Sequence, residues 1–105
     1  MRYLFIESRI FTSFVMDYLS DEEYAQMQEL LCESPEAGDL VRGSGGVRKL
    51  RWSLPGRGKS GGVRVCYYAR TQAGQIFLLT IYAKNVRATI PGHLLKQIKE
   101  EMEGL

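Results

Sequence analysis

Lys49 and Arg51 occupy alternate positions of one strand-like run, and Arg64, Tyr82 and Lys84 fall at alternate positions of two later runs. Four cations and a phenol on one sheet face can hold a phosphate-bearing polyanion, with arginine forks on the oxygens and lysine or phenol as proton carriers. The surrounding charge supports that chemistry. Residues 40–99 contain twelve Lys and Arg and no Asp or Glu, whereas the first 39 contain nine acids and two bases. The net charge of +2 conceals this split. A one-sided field is what a polyanion-binding surface needs. It also removes any carboxylate of the basic stretch as a general base. The plain alternative is a solvated basic face with the acids folded nearby, because charge runs commonly serve solubility.

The elements that must position these residues follow from periodicity. The run at residues 3–6 is apolar and reads as a strand. Ile10, Phe11, Phe14, Val15 and Tyr18 follow helical spacing. Ser20 with Glu23 forms a capping box, and Asp21 and Glu22 favour the start of a second helix. Tyr24, Met27, Leu30 and Leu31 give that helix one apolar face, and Pro35 ends it. Residues 47–53, 63–70 and 75–84 read as three strands rich in β-branched and aromatic residues. The link at 71–74 has hairpin length, whereas LPGRGKSGG at 54–62 is a long glycine-rich basic flap. Pro91 opens a last helix with Leu94, Leu95, Ile98 and Met102 on its apolar face. The expected fold is therefore α+β, a small mainly antiparallel sheet with helices on one face, in the order β-α-α-β-β-β-α.

Alternation sorts the strand residues into faces. Lys49 and Arg51 oppose Leu50 and Trp52. Arg64, Cys66 and Tyr68 oppose Val63, Val65 and Tyr67. Thr80, Tyr82 and Lys84 oppose Phe77, Leu79 and Ile81, which places Ile76 and Leu78 on the polar face too. Arg48 points with the apolar residues as edge or flap support, and Trp52 reads as core. Arg57 and Lys59 on the flap look like phosphate contacts. Lys49 and Arg51 repel each other with no acid near in sequence, and a bound phosphate relieves that repulsion better than water.

Other chemistries are excluded. GSGG at 43–46 lacks the Lys-Ser/Thr and the helix start of a phosphate-binding P-loop. His93 is the one histidine of the chain, so a Ser-His-Asp set is implausible, and it reads as a surface residue at a helix start. Cys32 and Cys66 have no metal-ligand spacing and read as buried free thiols. No cofactor is expected. With 105 residues, 45% of them apolar, the chain is expected to form one domain. Its apolar runs are too short for a membrane span, and MRYLFIES is too short and too quickly polar for a signal peptide, so a cytoplasmic location is expected.

The runs GDLVRGSGGVRKLRWS, GGVRVCYYA and FLLTIYAKN, in that order, resemble the HigB branch of the RelE/ParE superfamily of toxins, over nearly the whole chain. The resemblance implies the toxin half of a toxin–antitoxin pair, a ribosome-dependent mRNA endonuclease in which the substrate's 2′-hydroxyl attacks the adjacent phosphate. Carried over by motif, Lys49 and Arg51 match the basic pair of the first hairpin strand, Arg64 the arginine of the next, and Lys84 the basic end of the last. The chain departs from the pattern at Asn85, where RelE has an arginine, and no tyrosine after Tyr82 matches the one in RelE's last segment. On this reading Arg51 and Arg64 hold the phosphate oxygens, Lys49 is the general base, and Lys84 or Tyr82 protonates the leaving oxygen. Arg48, Arg57, Lys59 and Arg87 are the expected RNA and ribosome contacts. The implied partners are ribosome, mRNA and a HigA-like antitoxin with a helix-turn-helix domain, through which alone operator DNA is bound. The competing readings are a ParE-like gyrase poison, a non-catalytic RNA-binding module using Tyr68 and Tyr82 for stacking, and a decayed toxin.

Overall fold

A computed structural model describes residues 2–53, 62–84 and 89–104. Its elements are β1 (Leu4–Glu7), α1 (Arg9–Tyr18), α2 (Asp21–Glu33), β2 (Asp39–Leu40), β3 (Arg48–Trp52), β4 (Val63–Arg70), β5 (Gln75–Ala83) and α3 (Gly92–Glu103). The expected order holds, with the two-residue β2 added. The strands form one sheet in the order β1-β5-β4-β3-β2. β1 runs parallel to β5, and the other pairings are antiparallel.

Local chemistry explains the helix starts. The Ser20 hydroxyl accepts from the Glu23 amide at 3.1 Å while the Glu23 carboxylate accepts from the Ser20 amide at 2.8 Å, the reciprocal capping box. At α1 the buried Ser8 hydroxyl accepts from the Phe11 amide at 3.0 Å and donates to the Leu79 carbonyl at 2.6 Å. One side chain thus caps α1 and ties it to β5.

The sheet has a core on each side. Phe11, Val15 and Leu19 of the α1 region and Met27 and Leu31 of α2 pack on Leu50, Val65, Tyr67, Ile76, Leu78 and Ile81. Leu95 and Met102 of α3 pack with Val47, Cys66, Phe77, Leu79 and Tyr82 on the opposite face. The helices therefore do not share one face, contrary to expectation. An amphipathic stripe shows that a helix must be covered, not which side of a sheet covers it.

The face assignment in β5 is corrected as well. Cys66 pairs with Thr80 but Tyr67 pairs with Leu78, so Leu79 is an extra residue on β5. Such a bulge reverses parity along the strand. Ile76 and Leu78 join the α1–α2 core, whereas Phe77 and Leu79 join the α3 core.

α3 is anchored by a charge. Lys99 is buried, donates to the Gly45 carbonyl at 3.0 Å and lies 4.5 Å from the Tyr68 ring centroid. Gly45 belongs to a turn that the Ser44 hydroxyl closes, donating to the Val41 carbonyl at 2.6 Å and accepting from the Val47 amide at 3.0 Å. Gly43, Gly45 and Gly46 there have φ of 75°, 73° and 104°, a region glycine enters without strain. The GSGG run is thus a structural turn under α3. The start of α3 fits as closely, since a Cβ at Gly92 would lie 2.0 Å from the Arg42 carbonyl oxygen.

Candidate functional site

Arg51 is the cross-strand partner of Arg64, and Arg64 is the partner of Tyr82. Partners directly opposite share a face at about 5 Å, so the three residues form a row about 10 Å long across β3, β4 and β5. The next row on the same face is Lys49, Cys66 and Thr80. Lys49 stands about 7 Å from Arg51 along its strand. The sheet therefore brings Lys49, Arg51 and Arg64 together on one rigid patch. Arg51 is exposed, and Lys49 and Arg64 are half-buried. Among the described residues none of the three makes an ion pair, although Asp39 of β2 is the cross-strand partner of Lys49. The ion pairs present join Arg70 and Lys99 to Glu103, away from this patch.

Lys84 lies just beyond the end of β5 and is exposed. Tyr82 is 7% exposed and belongs to the α3 core. Its hydroxyl lies beside the Cys66 thiol, as does that of Thr80. Burial pushes the Cys66 thiol up, and the Thr80 hydroxyl, the Lys49 charge and the Tyr82 hydroxyl pull it back in part. Beside the cations on the same face there is thus a compact polar cluster of Thr80, Cys66 and Tyr82. Cys66 and Thr80 had no signal of their own in the sequence beyond the alternation they share with Arg64 and Tyr82.

Arg48 does not join the patch. It is the partner of Tyr67 on the opposite face, and its guanidinium donates to the Gly38 carbonyl at 2.8 Å. It braces the loop before β2. Tyr67 strengthens the same brace, donating to the Pro35 carbonyl at 2.7 Å and accepting from the Gly38 amide at 2.9 Å. Arg57, Lys59 and Arg87 lie outside the described residues, as do Asn85 and most of the glycine-rich flap. His93 is exposed near the start of α3. Trp52 is half-buried against the α1–α2 core, with its ring nitrogen shielded from solvent.

Tyr68 makes two ring contacts. Phe77 stacks on it at 6.4 Å between centroids, and Lys99 lies over its ring. No group of three or more His, Cys, Asp or Glu able to hold a metal ion occurs among the described residues. No helix of the described residues is long and apolar enough to cross a membrane.

No protein-family model matches the chain. Among solved structures, it is similar to a double mutant of the E. coli toxin RelE in the free state, with a TM-score of 0.55 and 18% identity, covering 84% of this chain and 90% of that one. At that identity the likeness is one of architecture, and the chain has a RelE-like fold.

Proposed function

We propose that the chain is a HigB-type toxin of a toxin–antitoxin pair, a ribosome-dependent mRNA endonuclease acting in the cytoplasm. The observation that carries the reading is the Lys49–Arg51–Arg64 patch, three cations on adjacent strands, in which Lys49 faces Asp39 of β2 while Arg51 and Arg64 face each other with no ion pair to an acid among the described residues. A scissile phosphate supplies the missing charge. Arg51 and Arg64 hold its non-bridging oxygens in fork geometry and bind more tightly as charge develops. Lys49, reacting in its neutral amine form, takes the proton of the ribose 2′-hydroxyl, whose oxygen attacks the phosphorus. The bond to the 5′-oxygen breaks, Lys84 supplies that oxygen with a proton, and the products are a 2′,3′-cyclic phosphate and a 5′-hydroxyl end. Lys84 suits the donor role because it is exposed, whereas the Tyr82 hydroxyl is turned into the protein.

The geometry weighs against the RNA-binding module. Sheet modules of that kind stack bases on exposed aromatics. Here Tyr68 contacts Phe77 and has Lys99 over its ring, and Tyr82 is buried under α3. The patch offers charge without a stacking platform, so correct alignment of the RNA must come from elsewhere. The ribosome supplies it, an entropic gain worth about 7 kcal/mol or more when alignment is good. A HigA-like antitoxin with a helix-turn-helix domain is the expected neutralising partner, and operator DNA is bound through the complex.

The test is cleavage of a defined mRNA with and without programmed ribosomes, by the wild type and by Arg64→Ala. Cutting that needs both the ribosome and Arg64 supports the reading. Intact mRNA with arrested growth favours a gyrase poison. Intact mRNA with normal growth favours a decayed toxin.

A further inference from the structure

One acid stands beside the cation patch. Asp39 is the cross-strand partner of Lys49, so the two side chains leave the same face about 5 Å apart at their bases. It is the last acid before the acid-free run at 40–99. Among the described residues it is the one Asp or Glu on β2, β3, β4 and β5. Asp39 is exposed, and no ion pair joins it to Lys49 in the free protein.

For a strand of two residues, β2 is firmly placed. From the opposite face the Tyr67 hydroxyl and the Arg48 guanidinium hold both the amide and the carbonyl of Gly38. Past β2 the Val41 amide donates to the Val47 carbonyl at 2.9 Å, which carries the pairing toward the hairpin turn. Gly38 lies so close to β3 that a Cβ there would stand 2.9 Å from the carbonyl carbon and oxygen of Lys49. Asp39 is thus held opposite Lys49 by the clamped glycine before it. A carboxylate at this place repels a polyanion, so it does not serve RNA binding. An edge strand needs charge to block pairing with other chains, yet a lysine would meet that need without the repulsion. What the acid offers here is a counter-charge to Lys49.

We propose that Asp39 is a positioning residue for Lys49, an inference that rests on the endonuclease function proposed above. With RNA in place, one N–H of the neutral Lys49 amine donates to the Asp39 carboxylate, and the amine lone pair faces the ribose 2′-hydroxyl. A change of lysine rotamer makes this bond, because residues directly opposite are within reach of each other. As the amine takes the 2′-hydroxyl proton it becomes an ammonium, and the bond to Asp39 becomes charge-assisted and tightens. The carboxylate thereby stabilises the positive charge that develops on Lys49, while the arginines stabilise the negative charge on the phosphate. No proton passes to Asp39. Lys49 gives its proton to water after the products leave.

The test is single-turnover cleavage of mRNA on programmed ribosomes, with affinity for those ribosomes measured separately. The proteins compared are the wild type, Asp39→Asn, Asp39→Glu, Lys49→Ala and the double variant Asp39→Asn/Lys49→Ala. Asp39→Asn is expected to cut about tenfold more slowly, a part of the 10²–10⁴-fold that a positioned base supplies. It should bind the programmed ribosome at least as tightly as the wild type, because a repelling charge is gone. Asp39→Glu, which keeps the carboxylate, should recover part of the rate. In the Lys49→Ala background Asp39→Asn should cause no further loss, since the two residues act as a unit. A structural defect would instead slow the double variant below Lys49→Ala, so that outcome would overturn the proposal. Cutting at full rate by Asp39→Asn would overturn it too, as would a loss confined to ribosome affinity. A wild type that cuts no RNA sinks the proposed function and this inference with it. Cutting that needs Arg64 but not Asp39 sinks this inference alone.

Discussion

Arg51 and Arg64 are direct cross-strand partners on β3 and β4, with no carboxylate beside either among the described residues. Like charges directly opposite in a sheet oppose folding by tenths of a kcal/mol. On the proposed function the pair is tolerated because it binds the scissile phosphate. Arg51→Gln is expected to raise folding stability by about 0.2–1 kcal/mol in urea denaturation while lowering the rate of mRNA cleavage on ribosomes. A variant that lost stability would show that the guanidinium has a structural partner after all.

The two proton-donor candidates separate cleanly. Lys84→Ala is expected to lower single-turnover cleavage about 10²–10⁴-fold, the usual worth of a positioned acid. Tyr82→Phe should change it far less, because the phenol hydroxyl sits beside the Cys66 thiol under α3. Rapid-quench cleavage of ribosome-bound mRNA by both variants ranks them, and the reverse order would return the donor role to Tyr82.

Much of this patch was legible in the sequence. Alternation in β3 and β4 put Lys49, Arg51 and Arg64 on one face because Leu50 separates the first two and Val63 and Val65 flank the third. The capping box of Ser20 and Glu23 was equally plain, since it is local. β5 was harder. Its residues from Ile76 to Leu79 are all apolar and buried on one side or the other, so nothing in their order marks the extra residue at Leu79. The side taken by α3 was hidden for a related reason. It depends on Lys99 reaching a turn 54 residues earlier, at Gly45, a contact no local pattern records. Arg48 was placed correctly by parity, yet its carbonyl partner at Gly38 became visible only in the fold.

That long-range contact can be measured. Lys99→Met keeps the length of the side chain and removes the charge. It loses the charged hydrogen bond to Gly45, worth about 1.5–3 kcal/mol, and the contact with Tyr68, worth about 0.5–2 kcal/mol. Hydrogen exchange should quicken in α3 first, with α1 and α2 still protected. Uniform loss of protection would show that α3 does not open as a unit.

Stability is expected to fall in alkali. Burial, then the hydrogen bond to the Glu7 carboxylate at 2.6 Å and its charge, raise Tyr24 above its ordinary value of 10.0. Burial likewise raises Tyr67 above 10.0 and Cys66 above 9.0. Each group holds its proton more tightly folded than unfolded. The stability this represents is complete below about pH 9 and is lost as pH climbs through the folded values. Urea midpoints should drop between pH 9 and 11, and Tyr24→Phe should flatten the part of the fall above 10.0. An unchanged slope in Tyr24→Phe would assign the loss to other groups.

The central claim is that the Lys49–Arg51–Arg64 patch cuts RNA by attack of the 2′-hydroxyl. It is tested most directly by end-mapping the products from ribosome-bound mRNA, with and without a 2′-deoxy nucleotide at the cut site, for the wild type and Arg64→Ala. The account predicts 2′,3′-cyclic phosphate and 5′-hydroxyl ends, no cut at the deoxy nucleotide, and loss of cutting in Arg64→Ala. Cleavage that survives the deoxy substitution, or that persists in Arg64→Ala, would contradict it.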